Sequence, residues 1–280
     1  MMKKILKIYV KFFLFPFLIF FKKKRVIDKI IDIIKKIKPQ EIEVDGIVFS
    51  TDEGKIAGRG LALKSKEPDT IYWIDHYINN DEVLYDIGAN IGVFSLYAAH
   101  NINNIKVYSF EPESSNYYYL NKNIYRNKFD NTILALNIAL NDTSIISTLN
   151  LSSFIAGGSM HNFHDELDQN HEKLKPVFKQ GAVGISLDEL VLNFGLPVPN
   201  HIKIDVDGNE YKVINGMTKI LRNKKLKSIA IELNDNLEID DNIVQIIIES
   251  GFINIDNNHF LVNKRYKDNG WPYNKYFIRV

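Results

Sequence analysis

"LYDIGANIG", residues 84–92, places an acid, two glycines and an asparagine between two apolar runs. Asp86, Gly88, Asn90 and Gly92 fall on alternate positions. Glycine weakens the interior of a strand or helix, so two of them beside an acid mark a turn that something approaches closely. The flanking segments agree. "EVLYDIG" reads as a short buried strand and "IGVFSLYAAH" as a helix opening at the glycines. A dinucleotide loop would instead read G-x-G-x-x-G, with pyrophosphate at the helix N-terminus. Here the loop is G-x-N-x-G and carries a carboxylate, which repels phosphate and attracts an ammonium group. The loop therefore suits a ligand with an amino-acid tail.

Outward from this turn the rhythm continues. "IKVYSFEP" is a strand ended by Pro112, "SSNYYYLNKNIYRN" a helix, and "TILALNIAL" a third strand. Later come "HIKIDVDG" (strand), "NEYKVINGMTKILRN" (helix), "KSIAIELN" (strand), "DDNIVQIIIES" (helix), "GFINID" (strand) and "KYFIRV" (strand). Alternating strands and helices imply parallel pairing through right-handed crossovers. The expected fold is α/β: a doubly wound, mostly parallel, seven-stranded sheet with its ligand site outside the carboxyl ends of the strands. Residues 81–280 form this domain. Residues 152–180, rich in Gly, Ser, His and Asn, interrupt it as an insertion or lid.

Residues 26–80 read as an N-terminal extension: a helix over 26–38, a β region from 41 to about Leu63, and a helix starting at Pro68. Residues 1–25 are apolar and basic. The run Phe12–Phe21 is shorter than the roughly 20 residues that span a bilayer, and Pro16 interrupts it. Two readings stand: an in-plane anchor, with Lys22–Arg25 facing anionic head groups at about 1 kcal/mol per charge, or an apolar arm packed on protein. The first places the protein in the cytoplasm, peripheral at the inner face of the membrane.

Lys and Arg number 35 against 34 Asp and Glu, which gives no electrostatic reason to expect nucleic acid. The absence of cysteine excludes disulfides, thiolate zinc sites and a cysteine nucleophile. Glu111 closes the second strand one βα unit after the glycine loop, where an acid accepts hydrogen bonds from both hydroxyls of a ribose. An amino-acid tail and a ribose without phosphate together describe S-adenosylmethionine.

The chain resembles the FkbM family of S-adenosylmethionine-dependent methyltransferases. "LYDIGANIGVFS", "VYSFEPESSNYYYLNKNI", "ALNIALND", "GISLDELV", "IKIDVDGNEYKVINGM" and "SIAIELN" match its motifs in order, over about residues 80–235. One departure is Asp207, where the family usually has Glu. The resemblance implies that Asp86, Gly88, Asn90 and Gly92 line the methionine and ribose end of the cofactor and Glu111 the ribose. It places Asn137, Ile138 and Ala139 near the adenine and Asp205 closest to the transferred methyl.

"KIDVDGNE" puts Lys203, Asp205, Asp207 and Glu210 within eight residues, and strand periodicity places the first three on one face. Lys203 is the expected partner of one acid, since unpaired buried charge is costly. Asp205 is the candidate base or substrate orienter for transfer to a hydroxyl, with Lys203 and Glu232 beside it. A divalent metal on these acids and Glu232, or a salt-bridged strand end, are the alternatives. Asp207, Glu210, His161 and His164 are candidate substrate contacts. The spacing of His161, His164 and His171 is not a metal-ligand pattern, and no resident metal is expected.

The function expected is O-methylation of a hydroxyl on a sugar, glycan, glycolipid or related metabolite. The competing class is a non-catalytic glycan- or membrane-binding module that keeps the fold. Asp86 and the missing third glycine speak against a nicotinamide oxidoreductase. The charge balance and the absence of an N/D-P-P-Y-like tetrapeptide speak against a nucleic-acid methyltransferase. Oligomeric state and the methylated position are not legible.

Overall fold

The computed structural model describes residues 40–51, 54–166, 172–255, 266 and 268–280. Segment 1–25, the helix expected over 26–38, and His171 lie outside the described residues. Residues 42–280 form one compact unit.

A hairpin of β1 (Glu41–Val44) and β2 (Ile47–Ser50) leads to α1 (Ile56–Leu61) and α2 (Pro68–Tyr77). The β region expected to reach Leu63 thus ends at Ser50, and a short helix follows. The domain proper then runs β3 (Val83–Ile87), α3 (Val93–Asn101), β4 (Lys106–Phe110), α4 (Ser114–Asn127) and β5 (Ile133–Leu136). Next come β6 (Ala139–Leu140), β7 (Ile145–Leu151), β8 (Asn162–Phe163), β9 (Phe178–Ile185) and α5 (Leu187–Leu192). The chain closes with β10 (His201–Ile204), α6 (Glu210–Asn215), α7 (Thr218–Leu221), β11 (Ser228–Leu233), α8 (Glu238–Glu249), β12 (Phe252–Asn254) and β13 (Tyr273–Arg279).

Seven strands make the main sheet in the order β12-β13-β11-β10-β3-β4-β5. β11, β10, β3, β4 and β5 run parallel, and β13 is antiparallel to both of its neighbours. This is the expected seven-stranded, mostly parallel sheet. Strand periodicity sends Leu84, Val107 and Ala230 into a core with α2, α3 and α4. Tyr85, Ile87, Ile202, Ile204, Ile229 and Ile231 enter the opposite core, under α5 to α8. Ile47, Phe49, Ile56 and Trp73 belong to the first of these cores. The described part of the extension therefore completes the domain instead of standing apart from it.

Three readings of element boundaries change. "TILALNIAL" is not one strand: β5 stays in the main sheet, while β6 joins a second sheet of order β6-β9-β7-β8. The insertion over 152–180 is the connection between the antiparallel strands β7 and β9: its described residues include β8 and the first three residues of β9. The helix expected over 209–223 is broken between α6 and α7, where a Cβ on Gly216 would lie 2.0 Å from the Asn141 carbonyl oxygen.

Candidate active site

The carboxyl ends of β3, β4 and β10 open onto a cavity of about 320 Å³, whose far wall is β6 and the 158–163 segment. That is the low end of the range for small-molecule sites, which run roughly 300–1,000 Å³.

Beneath it, register aligns Lys203, Asp86 and Ser109 in a row across β10, β3 and β4. All three are buried. Ser95 of α3 donates to Asp86 Oδ2 at 2.5 Å and contacts Ser109 Oγ at 2.7 Å. Asp86 Oδ1 is buried without a hydrogen-bond partner. Burial raises the Asp86 pKa, opposed by Lys203 and Ser95. Asp86 also lines a smaller pocket beside the main cavity, as do Gly88 and Asn90.

The two glycines have different reasons. Gly88 has φ +80°, and a Cβ there would lie 1.7 Å from the Asp205 carbonyl oxygen. The turn must be glycine because the end of β10 passes against it. For Gly92, at φ +87°, the one close approach would be to Leu120 Cδ1, at 2.5 Å, with Leu96 at an ordinary 3.8 Å. It packs α3 against α4 and does not line the cavity. Asn90 adopts φ +52°. Its amide nitrogen donates to the Gly158 carbonyl at 2.6 Å, which anchors the insertion over the site.

Glu111 lies where a ribose-binding acid belongs, on the cavity wall. Its Oε2 accepts from Asn90 N at 2.7 Å and its Oε1 from Glu113 N at 2.9 Å. Each oxygen keeps a second lone pair for a ligand hydroxyl. Burial pushes its pKa up to about 8 against those two bonds. Ile138, Ala139 and Leu140 form an adjacent apolar wall. Asn137 does not join them: its exposed side chain donates to the Glu111 and Pro112 carbonyls and braces the strand end.

The acids of "KIDVDGNE" separate. β10 ends at Ile204, so period two does not carry through to Asp207. Lys203 Nζ, with the residue only 2 % exposed, pairs with Asp205 Oδ2 at 3.0 Å as expected and sits 5.0 Å from the Phe94 ring centroid. Burial alone would raise the Asp205 pKa, but Lys203, Lys66 and Arg59 hold it below the ordinary carboxylate value. A carboxylate held that way is a weak proton acceptor. Asp207 turns into the left-handed region, φ +56°, and its Oδ2 accepts from Met160 N at 2.6 Å. Asp enters that region more readily than longer side chains, which accounts for an Asp where the family usually has Glu. Burial and Asp205 push its pKa to about 6. Glu210 folds back under the turn, accepting from Val206 N at 3.0 Å and Gly208 N at 2.9 Å. It supports the loop and does not line the cavity.

Glu232, at the end of β11, lines the cavity. Its carboxyl has no hydrogen-bond partner among the described residues. Burial, followed by Asp205, Glu67 and Asp207, raises its pKa well above the ordinary value. Among the described residues, no three His, Asp or Glu side chains are arranged to hold a metal ion.

The histidines divide. His161 lines the cavity; Ser152 N donates to its Nδ1 at 3.3 Å, its Nε2 is buried without a partner, and burial lowers its pKa. His164 is exposed, bonded to Ser147 Oγ at 2.9 Å, and does not line the cavity.

Sequence reasoning missed Arg59, Lys66, Phe163, Asn209 and Trp271, all of which line the cavity. Arg59 and Lys66 come from the extension, and no local pattern marks them. Trp271 sits in "GWPY", a Gly-Pro turn beside an aromatic, which was a usable signal.

The residues fit S-adenosylmethionine. The ribose-binding acid keeps free lone pairs, the base has an apolar wall, and the orphaned Asp86 oxygen lies under the loop where an ammonium would arrive. A solved FkbM methyltransferase from Methylobacillus flagellatus KT is 15% identical, with a TM-score of 0.48 over 72% of this chain and 45% of its own. Aeropyrum pernix fibrillarin, solved with natively bound S-adenosyl-L-methionine, is 10% identical, with a TM-score of 0.43 over 85% of this chain and 81% of its own. The hexuronic acid methyltransferase AglP of Haloferax volcanii is 27% identical over 175 residues, which span 62% of this chain and 65% of that protein's length. The family model "Methyltransferase FkbM domain" matches residues 86–254, more than half of the chain and the whole stretch from the glycine turn through the acids of β10 and β11. The chain belongs to the FkbM methyltransferase family.

Proposed function

We propose that this protein is an S-adenosylmethionine-dependent O-methyltransferase acting on a hydroxyl of a sugar or glycan. When bound, the cofactor supplies an electrophilic methyl group. The observation that carries the reading is the carboxyl of Glu232, which lines the cavity near Asp205 with no hydrogen-bond partner among the described residues and with its pKa raised by burial. A carboxylate with a raised pKa is the stronger proton acceptor, and general-base catalysis contributes about 10²–10⁴-fold. In its ionised form Glu232 would take the proton of the acceptor hydroxyl as that oxygen bonds to the methyl carbon and the carbon–sulfur bond breaks. Asp205, held ionised by Lys203, orients the reacting groups. Met160 and His161, clasped through Asp207, close the cavity on the insertion side.

Two features support a sugar as acceptor. Trp271, 47% exposed, stands at the cavity with Tyr266 edge-on at 5.4 Å, a flat apolar surface of the kind a pyranose ring stacks on. The Haloferax relative carries the name of a hexuronic acid methyltransferase. Transfer of labelled methyl groups to a panel of methyl glucuronides and neutral methyl glycosides tests the reading. Glu232→Gln is expected to lower kcat by about 10²–10⁴-fold with cofactor affinity retained. A variant with full kcat removes Glu232 from the chemistry, and failure to methylate any hydroxyl acceptor favours a non-catalytic binding module.

A further inference from the structure

Beside the main cavity lies a second pocket of about 40 Å³, room for roughly three water molecules. The two share Arg59, Lys66, Gly88, Asn90 and Asp205. The small pocket carries both signs of charge: Arg59, Lys66 and the Asp205-paired Lys203, and the acids Glu67, Asp86 and Asp205. Arg59 Nε donates to the Gly157 carbonyl at 2.6 Å, which anchors the guanidinium at one edge. Lys66 Nζ pairs with Glu67 Oε1 at 2.9 Å. A pocket of one sign would hold an anion or a cation. A pocket of both signs, with a planar fork fixed at one edge, matches a zwitterion whose carboxylate takes the fork in bidentate fashion.

On the proposed methyltransferase reading, we infer that this pocket receives the amino-acid head of the cofactor, with Arg59 and Lys66 on its carboxylate and the orphaned oxygen of Asp86, beside Asp205, facing its ammonium. Both cations precede residue 86, where the family match begins. The segment before the family domain is therefore part of the cofactor site. Its placement is built in: Phe49 of β2 packs where a Cβ on Gly60 would lie 2.8 Å from its ring, so α1 is seated tightly enough to aim Arg59.

Calorimetry on the full chain, without turnover, tests this with two ligands. S-Adenosylhomocysteine carries the amino-acid head, and 5′-methylthioadenosine lacks it. Arg59→Ala is expected to weaken the first about 10–100-fold, the usual worth of a charge-assisted contact, and the second by less than about threefold. Lys66→Met should show the same selectivity. Arg59→Lys, which keeps the charge without the fork, should fall between. Equal losses for both ligands would show that Arg59 acts through the Gly157 loop and would overturn the assignment, as would no loss for either. Wild-type protein that binds neither ligand would overturn the methyltransferase reading itself, and the assignment with it.

Discussion

Gly88→Ala separates two reasons for a glycine at the head of the site. If the residue serves the ligand, alanine weakens cofactor binding and leaves the empty protein unharmed. The structure gives the other reason. At φ +80° an alanine Cβ would lie 1.7 Å from the Asp205 carbonyl oxygen, against 3.4–4 Å for ordinary contact. Asp205 cannot retreat freely, because its N–H donates to the Ile87 carbonyl at 3.0 Å and ties β10 to β3. The left-handed backbone costs about 1–2 kcal/mol and forced overpacking about 1–3 kcal/mol, together roughly 2–5 kcal/mol. For a domain of this size that corresponds to a drop in Tm of about 5–15 °C. Gly92→Ala is the control. It bears the same backbone penalty at φ +87°, but its Cβ crowds only the end of the Leu120 side chain, which can rotate away, and leaves Leu96 at an ordinary 3.8 Å. Differential scanning fluorimetry of the three proteins without cofactor reads the difference directly. Gly88→Ala should melt lowest and Gly92→Ala between it and wild type. A Gly88→Ala protein that melts with wild type, or above Gly92→Ala, would refute the reasoning.

The remaining predictions concern pH, metal and membrane. Glu111 and Glu210 hold protons in the folded state up to about pH 8, while the unfolded chain releases them near 4.5. Stability therefore falls as pH rises through that window, by about 1.4 kcal/mol per pH unit for each group, and Tm without cofactor should drop between pH 6 and 8; a flat or rising Tm contradicts the shifts. Glu82 works in the opposite window: burial resists but His201 and Lys227 hold its pKa near 2, so the stability it adds above about pH 4.5 is lost as pH falls toward 2, and Glu82→Gln should blunt that acid loss. Methyl transfer should be unchanged by EDTA; loss of activity restored by a divalent cation would put a metal on the acids. We propose that residues 1–25 seat the protein on anionic membrane, so their deletion should abolish co-sedimentation with anionic liposomes; equal sedimentation of both forms ends the idea.

Much of the main sheet was legible because β3, β4, β10 and β11 are short buried runs bounded by turn residues, and buried strands announce themselves by composition. Glu111 and the Lys203–Asp205 pair were legible for a related reason: each acid closes a strand, and strand ends point at the site. The break in "TILALNIAL" was not legible, since apolar pattern does not say which sheet a strand joins. Glu210 was misplaced because a helix-start acid two residues beyond Gly208 reaches back to cap the turn, a local bond that outcompetes the cavity. Asn137 was misplaced because its amide found backbone carbonyls nearer than a ligand. Asp205 kept its place, but Lys203 and Lys66 hold it ionised. The proposed proton acceptor is therefore Glu232, which no cation among the described residues pairs. Arg59 and Lys66 reach the site only through tertiary packing, and nothing in their local sequence encodes that.

The central claim is that the cavity between the glycine turn, Glu111 and β10 binds S-adenosylmethionine. Isothermal calorimetry of the full chain tests it most directly. Micromolar binding of the cofactor, weakened about 30-fold by Glu111→Ala as two hydrogen bonds to ribose of about 1 kcal/mol each are lost, is the predicted result. No detectable heat of binding at millimolar cofactor would contradict it.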